Sequence, residues 1–345
     1  MKKEQDEKYM QQCIKLASAG FGQVAPNPMV GCIVVAGGKI IGKGYHEKYG
    51  DPHAEVQAIN SVKNKSQLQG ATLYVSLEPC SHHGKTPPCT NLIIKSGISR
   101  VVVGAKDTNA DVSGGGKAKL EEAGVDVVMD VLENECREQN KRFFSHVEGK
   151  RPYVILKWAQ TSNGFIAEKK NKQTWITGAD SVRLNHKWRA EEQSILIGTN
   201  TALADNPRLT AREYKGKNPV RVVLDRNLRL PQDLNLFDRS VATLVCNEIK
   251  GFHYESLEYV KMNFGKNLVS HILRELYKRN LQSVIVEGGG QLLNAFIADG
   301  IWDEARVFTG SVEFKKGIDA PVLGIDPFEI EAIGEDELKY YKNEN

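Results

Sequence analysis

His53, Glu55, Cys80 and Cys89 are the residues whose types and spacing best suit chemistry, set in His53-Ala54-Glu55, Pro79-Cys80 and Pro88-Cys89. One imidazole and two thiolates suit zinc, and three protein ligands leave a coordination position for water. Zinc lowers the pKa of such a water to about 7, which makes an attacking group available at neutral pH. That chemistry needs a base beside the metal but not on it. Glu55, two residues past the imidazole, can take the proton of the water and pass it to a departing amine. A structural zinc with His82 or His83 as fourth ligand is the rival reading, and it has no use for Glu55. Cys13, Cys32, Cys136 and Cys246 read as ordinary buried thiols.

The elements around these residues must bring them together. Asp51-Pro52 is a helix start, which puts His53 in the first turn of a helix over 54–62. Residues two apart on a regular helix point in different directions, so His53 and Glu55 converge only if that turn abuts strand ends. Cys80 directly follows an apolar strand over 71–77. Cys89 follows Pro87-Pro88 and opens a short helix over 90–95, where the positive end of the helix dipole favours a thiolate. Met10, Cys13, Ile14 and Ala17 keep helical spacing. A strand over 30–36, a hairpin partner over 40–45, strands over 100–105 and 125–129, and a helix over 117–123 complete the series. Such alternation implies a largely parallel sheet covered on both faces. Glu148-Gly149-Lys150-Arg151-Pro152 reads as a boundary, giving domains 1–149 and 150–345. Beyond it come strands over 153–157, 194–198, 220–225, 241–247 and 283–287, and helices over 180–189 and 268–279.

Composition agrees with two soluble domains. The chain has 345 residues, 41% of them hydrophobic, which exceeds one ordinary core. Its net charge is 46 − 43 = +3, so no nucleic-acid footprint is demanded. A charged fraction of 26% and a mean hydropathy of −0.39 set aside disordered and fibrous classes. The longest apolar runs fall far short of a membrane span, and the charged N-terminus shows no secretory signal. Six cysteines in this length make no disulfide scaffold, so a reducing, cytoplasmic setting is expected.

A second candidate site lies in the other half. The strand over 283–287 runs into Gly288-Gly289-Gly290 and then a helix over 292–298, a strand–glycine–helix arrangement that can cradle an anion. It is not G-x-G-x-x-G, and a tight turn is nearly as good a reading of the glycines alone. Gly84-Lys85-Thr86 resembles the end of a phosphate loop, but Pro79 stands where that motif needs glycine.

His-x-Glu with Pro-Cys-x-x-Cys is the signature of zinc nucleobase deaminases, and this chain departs from it in the spacing of its cysteines. Here eight residues separate Cys80 from Cys89, and the segment Pro79-Cys80-Ser81-His82-His83-Gly84-Lys85-Thr86-Pro87-Pro88-Cys89 resembles the bifunctional deaminase/reductase family of bacterial riboflavin biosynthesis, the RibD type. Pro26-Asn27-Pro28-Met29-Val30-Gly31 and Thr72-Leu-Tyr-Val-Ser-Leu-Glu-Pro79 are similar to it too. So, in order, are Leu156-Lys157-Trp158-Ala159, Trp175-Ile176-Thr177, the stretch from Thr201 to Pro207, and Val286-Glu287-Gly288-Gly289. The resemblance implies an N-terminal cytidine-deaminase-like three-layer αβα domain and a C-terminal dihydrofolate-reductase-like α/β domain. It implies zinc in the first and NADPH in the second. The implied substrate is 2,5-diamino-6-ribosylamino-4(3H)-pyrimidinone 5′-phosphate, deaminated and then reduced at C1′ of the opened ribose.

By position in that family, His53, Cys80 and Cys89 would bind zinc and Glu55 would carry the proton. Asn27 and His46 would contact the base, and Lys85, Asp107 and Asn109 the ribose phosphate. Ala159, Trp175, Thr177, Thr201, Asp205, Gly289, Gly290, Gln291, Leu292, Leu293, Asn294 and Ala295 would line the cofactor. Lys157, Gln173, Arg189, Leu209, Arg212 and Glu287 would hold the second substrate, and arginine suits phosphate because its fork donates two parallel hydrogen bonds. Asn163 stands where the family usually has aspartate, and Arg226 where it has a small residue. The resemblance also implies a homo-oligomer, dimer or tetramer, with small-molecule partners and neither nucleic acid nor membrane. Two other classes stay open on the residues alone: a nucleic-acid base deaminase with a C-terminal binding domain, and a metal-stapled scaffold whose second half is inactive.

Overall fold

The computed structural model describes residues 2–81, 87–109, 115–168 and 175–344. The chain forms two compact units, Met1–Lys150 and Arg151–Asn345.

The first unit runs α1 (Lys2–Ala17), β1 (Gly31–Ala36), β2 (Lys39–Tyr45), α2 (Ala54–Ser61), β3 (Thr72–Leu77), α3 (Cys89–Lys95), β4 (Arg100–Ala105), α4 (Gly115–Glu122), β5 (Asp126–Val128), α5 (Glu133–Gln139) and α6 (Lys141–Gly149). Its sheet has the order β2-β1-β3-β4-β5. β3, β4 and β5 are parallel, whereas β1 is antiparallel to both β2 and β3. The expectation of a largely parallel sheet therefore holds for one half of it. The other half is a hairpin, because Gly37-Gly38, both at positive φ, turn the chain straight back. Side chains alternate across the sheet with period two. Cys32, Val34, Leu73, Val75, Val101 and Val103 pack against Ala58 of α2, Ile93 of α3 and Leu120 of α4. Ile33, Val35, Tyr74 and Val102 pack on the other face against Met10 and Cys13 of α1, Cys136 of α5 and Phe143 of α6. Helices cover both faces, which is the three-layer arrangement expected.

The second unit runs β6 (Tyr153–Thr161), β7 (Phe165–Glu168), α7 (Ala179–Glu191), β8 (Ser194–Gly198), α8 (Thr199–Asp205), β9 (Val220–Leu224), β10 (Thr243–Asn247), β11 (Phe252–Tyr254), β12 (Leu257–Lys261), α9 (Leu268–Lys278), β13 (Ser283–Gly288), α10 (Gly290–Ala298), β14 (Glu304–Gly310), β15 (Gly317–Asp319), β16 (Glu329–Ile333) and β17 (Asp336–Lys342). The main sheet has the order β11-β12-β10-β9-β8-β13-β6-β14-β17-β16, with β7 and β15 forming a separate ribbon. From β12 to β14 every pairing is parallel, and antiparallel strands close both edges. The strand order reverses around β13, between β8 and β6. In open α/β sheets ligands bind outside the carboxyl ends of strands at such a reversal. α9 and α10 cover one face through Ile272, Leu276 and Phe296. Trp188 of α7 covers part of the other, against Ile285 and Phe308.

Candidate active sites

In the first unit the approaches to α2 and α3 meet beyond the end of β3. His53 is the residue before α2, not part of its first turn, and its backbone is extended (φ −67°, ψ 161°). That placement, one residue off the expected one, removes the difficulty of helical spacing: an extended cap followed by a helical Glu55 can present both side chains to one centre. Cys89 is the first residue of α3, after the cap Pro88. Cys80 is held by its neighbours. An ideal Cβ on Gly116 of α4 would lie 2.1 Å from the Pro79 carbonyl oxygen, so only glycine lets α4 pack against that peptide. The backbone N–H of Lys117 donates to Glu78 Oε1 at 3.0 Å, fixing the residue before Pro79. Sequence reading missed Gly116 and Glu78, since nothing in their spacing marks a close approach.

His53 Nδ1 lies 3.6 Å from Cys80 Sγ and 3.3 Å from Cys89 Sγ. The three ligand atoms all lie within 4.8 Å of one another. A tetrahedral zinc with ordinary Zn–S and Zn–N bonds has nitrogen–sulfur edges of about 3.5 Å. The donor set thus fits zinc in type and in spacing. The backbone N–H of Cys89 donates to Cys80 Sγ at 3.4 Å, so the start of α3 stabilises negative charge on that sulfur. A hydrogen bond between the two thiols pulls Cys80 down to about 4 and pushes Cys89 well up. A divalent ion beside them would favour the ionised form of both sulfurs. Glu55 is 4% exposed, and burial lifts its carboxyl to about 7 against the opposing pull of His53. A group poised there can accept and release a proton near neutrality. Among the described residues the potential ligand group has three members, and Glu55 is not one of them.

Asn27 and His46 come together beside this centre, with Asn27 Nδ2 3.1 Å from His46 Nε2. The His46 ring meets the His53 ring edge to face, with centroids 5.7 Å apart. Asp107 is buried just past β4, and its Oδ1 accepts the backbone N–H of Asn109 at 2.9 Å. Lys85 lies outside the described residues, as do His82 and His83.

In the second unit Lys157 of β6, Arg189 of α7 and Glu287 of β13 form a charged cluster. Arg189 donates to Glu287 Oε1 from Nε at 3.0 Å and to Oε2 from Nη2 at 2.6 Å. Its fork is therefore closed on a carboxylate, not open for phosphate as expected. Burial raises the Glu287 pKa, but the Arg189 and Lys157 charges outweigh it and hold the carboxyl at about 2. Burial lowers the Lys157 pKa against the pull of Glu287. Asn185 was not foreseen. With its amide turned to suit its neighbours it donates to Glu287 Oε1 at 3.0 Å and accepts from Arg189 Nη2 at 3.3 Å. Its place four residues before Arg189 puts both on one helix face, a signal available in the sequence.

Near the reversal in strand order, Gly289 caps the start of α10 and offers no side chain to it. An ideal Cβ on Gly289 would lie 3.2 Å from Thr201 Oγ1, and one on Gly290 3.2 Å from Ile166 Cδ1 of β7. The bare backbone there forms a cradle that side chains would fill, which fits a phosphate-bearing cofactor. Ala159 sits half-buried on β6 beside Phe308 and Trp188. Leu292 and Leu293 turn their side chains into the core, so only their backbone can line the cradle; Gln291 and Asn294 are exposed and Ala295 is half-buried. Thr177 is half-buried, and Trp175 is 64% exposed. Asp205 is exposed at the end of α8, and Leu209 lies in the core with φ +52°. Arg212 is exposed beside Glu213. Gln173 lies outside the described residues. Arg226, past β9, donates from Nε to Glu248 at 2.8 Å.

Asn163 accepts from Thr161 Oγ1 at 2.7 Å and from the Phe314 backbone N–H at 3.3 Å, and its Nδ2 donates to the Phe314 carbonyl at 2.8 Å. Both directions of the amide are used, which explains an asparagine here: a carboxylate lacks the donor.

The first unit is thus built as a zinc-site deaminase and the second as an α/β unit with a glycine cradle beside a charged cluster. Residues 3–105 match the cytidine and deoxycytidylate deaminase zinc-binding region, and residues 152–313 match the RibD C-terminal domain. The riboflavin biosynthesis protein RibD of Aquifex aeolicus is 40% identical over 99% of both chains, and that of Escherichia coli is 34% identical over 88% of this chain and 87% of its own. A crystal structure of a diaminohydroxyphosphoribosylaminopyrimidine deaminase/5-amino-6-(5-phosphoribosylamino)uracil reductase from Thermotoga maritima superposes with a TM-score of 0.89 at 37% identity, covering 99% of this chain and 100% of that one. RibD of Acinetobacter baumannii does so with a TM-score of 0.89 at 30% identity, with the same coverage. The chain belongs to the RibD family, the bifunctional deaminase/reductases of riboflavin biosynthesis. Its deaminase domain is zinc-dependent and its reductase domain uses NADPH, as the family does. Among the described residues no helix is long and apolar enough to cross a membrane.

Proposed function

We propose that the first unit deaminates 2,5-diamino-6-ribosylamino-4(3H)-pyrimidinone 5′-phosphate and that the second reduces the ribose of the product to a ribitylamino chain. The observation that carries this reading is the convergence of His53, Cys80 and Cys89 with a buried Glu55 outside their ligand group. When bound to those three side chains, zinc acidifies a water and so supplies the attacking oxygen at neutral pH. Glu55 takes the proton of that water and delivers it to the amine, so that a C–O bond forms, a C–N bond breaks and ammonia leaves. Asn27 binds the edge of the base, and Lys85, Asp107 and Asn109 hold the ribose phosphate.

In the second unit NADPH supplies the hydride. Thr201 and the backbone of Gly289 and Gly290 receive the cofactor, with Ala159, Trp175, Thr177, Asp205 and the start of α10 around it. Glu287, fixed by Arg189 and Asn185, orients the sugar hydroxyls, and Lys157 furnishes the proton that accompanies the hydride. Arg212, exposed and among the described residues paired with its neighbour Glu213, suits the phosphate better than Arg189 does. Gln173 and Leu209 are the further residues assigned to holding the substrate. The chain works in the cytoplasm as a homo-oligomer.

A coupled assay on the ribosylated diaminopyrimidine phosphate tests this. Ammonia should appear with or without NADPH, and NADPH should be oxidised only once deaminated product is present. A folded, zinc-loaded protein that releases no ammonia from this substrate overturns the reading.

A further inference from the structure

We propose that Asn140, at the corner between α5 and α6, is a positioning residue for deamination: it fixes the loop that carries Asn27. The inference rests on the reading that Asn27 meets the base. Asn140 is 3% exposed. Its Oδ1 accepts the backbone N–H of Met29 at 2.8 Å, and its Nδ2 donates to the Met29 carbonyl at 2.9 Å. The same Nδ2 reaches the Cys136 carbonyl at 3.5 Å, so the amide nitrogen faces two acceptors and the oxygen faces a donor. One side chain thus engages both backbone polar groups of a residue 111 positions away, which takes a donor and an acceptor side by side.

Both ends of this link are firm. Asn140 N–H donates to the Arg137 carbonyl at 3.0 Å, and the Asn140 carbonyl accepts Phe144 N–H at 3.0 Å, which ties the residue to both helices. Cys136, Phe143 and Phe144 hold that corner in the core. At the other end, Pro28 alone separates Met29 from Asn27. A proline ring sets its own φ near about −65° and keeps the residue before it extended, so few torsions remain free between the two. The rest of the loop is tied locally. Asn27 N–H donates to the Val24 carbonyl at 2.9 Å, and the Val24 and Met29 side chains share a small apolar cluster with Ala17. Those ties close the loop on itself and on α1. The Asn140 pair adds the tie to α5 and α6, elements that place no residue in the metal-ligand group. Asn27 Nδ2 stands 3.1 Å from His46 Nε2, so a shift of the Asn27 backbone disturbs that pair as well.

A double-mutant cycle on the full-length, zinc-loaded protein tests this, read as kcat/KM for ammonia release and as the dissociation constant of the deaminated product. Asn140→Ala should cost about tenfold in both readouts, as the loss of directed hydrogen bonds would. Asn140→Asp keeps the acceptor for Met29 N–H but turns a carboxylate oxygen on the Met29 carbonyl, and should lose at least as much. In the Asn27→Ala background, Asn140→Ala should cost little further, because the group it positions is gone. Phe144→Leu loosens the same corner without removing either bond to Met29. It should lower the melting temperature of the first unit and leave both readouts at the parent level. Zinc content should match the parent in every variant. Losses that multiply in the double variant, an equal activity loss in Phe144→Leu, or failure of both Asn140 variants to fold with zinc would overturn the proposal. Asn27→Ala with parental kcat/KM would instead remove the base-contact reading of Asn27, a separate failure.

Discussion

The deaminase centre and the reductase cluster treat charge in opposite ways. Between positions 53 and 89 the first unit gathers two thiols and, beside them, a buried carboxyl, and among the described residues no lysine or arginine is paired with any of them. Burial lifts Glu55 to about 7, and the hydrogen bond between the thiols lowers the Cys80 pKa and raises that of Cys89. The second unit, between positions 157 and 287, buries a carboxylate with its own counter-ions, Arg189 and Lys157, already in place. One site is incomplete until a cation arrives. The other is electrically closed before any ligand binds. The folding free energy of the first unit should therefore depend on metal, and that of the second should not.

The sharpest way to break this contrast is to remove the metal. Chelation, or Cys89→Ser, should abolish ammonia release and lower the melting temperature of the first unit, with NADPH oxidation of pre-deaminated substrate and the melting of the second unit unchanged. Calorimetry with metal analysis reads both transitions, and an equal fall in the two would mean that the units do not differ in this way. Next in size is Glu55→Gln. It should keep zinc and fold, yet lose about 10²–10⁴-fold in ammonia release, the usual worth of a positioned general base. A zinc-free Glu55→Gln protein would make Glu55 a metal-holding residue and not a proton carrier.

The reductase side predicts a stability effect instead. Glu287→Gln leaves Arg189 and Lys157 without their carboxylate and should destabilise the second unit by about 3–5 kcal/mol in urea unfolding. Its pH signature has a definite sign. Glu287 is held at about 2 when folded, below its ordinary 4.5. The ion pair therefore contributes fully above the ordinary carboxylate range and fades as pH falls from about 4.5 toward 2. The gap between parent and variant should close over that interval. A gap that persists unchanged to pH 2.5 would assign the effect to packing.

The same contrast explains what could be read from the sequence. Zinc demands particular donor atoms, so His53, Cys80 and Cys89 announce themselves by type, and the Pro-Cys pairs mark chain turns. The compact apolar runs located β1, β3 and β4 closely because both faces of the sheet are buried there. The backbone state of His53 was less legible, since Asp51-Pro52 fixes the start of α2 only to within a residue. The reductase site was legible chiefly through family resemblance. Its cradle is backbone, and Leu292 and Leu293 contribute no side chain to it. The closing of Arg189 on Glu287 joins positions about 100 residues apart, and pairing at that range leaves no periodic trace. Of the C-terminal strands, β15 and β16 escaped notice for a related reason: both are largely exposed, and an exposed strand has no apolar alternation to detect; β14 and β17, which carry buried positions, were missed as well.

Asn163 offers the smallest test and the most discriminating one for the second unit. The loss of a charge at a family aspartate position suggests a weakened reductase. The geometry argues otherwise, because the Asn163 amide both donates to and accepts from the Phe314 backbone, and no carboxylate can do both. The turn it staples leads into β7, whose Ile166 lies against Gly290 at the start of α10. Asn163→Asp should set a carboxylate against the Phe314 carbonyl and cost about 1–3 kcal/mol of stability in the second unit. NADPH should bind more weakly, since β7 borders its cradle. If Asn163→Asp instead raised NADPH oxidation at unchanged stability, the residue would be a lost catalytic acid and the second unit, like the first, would need a group that the chain does not supply.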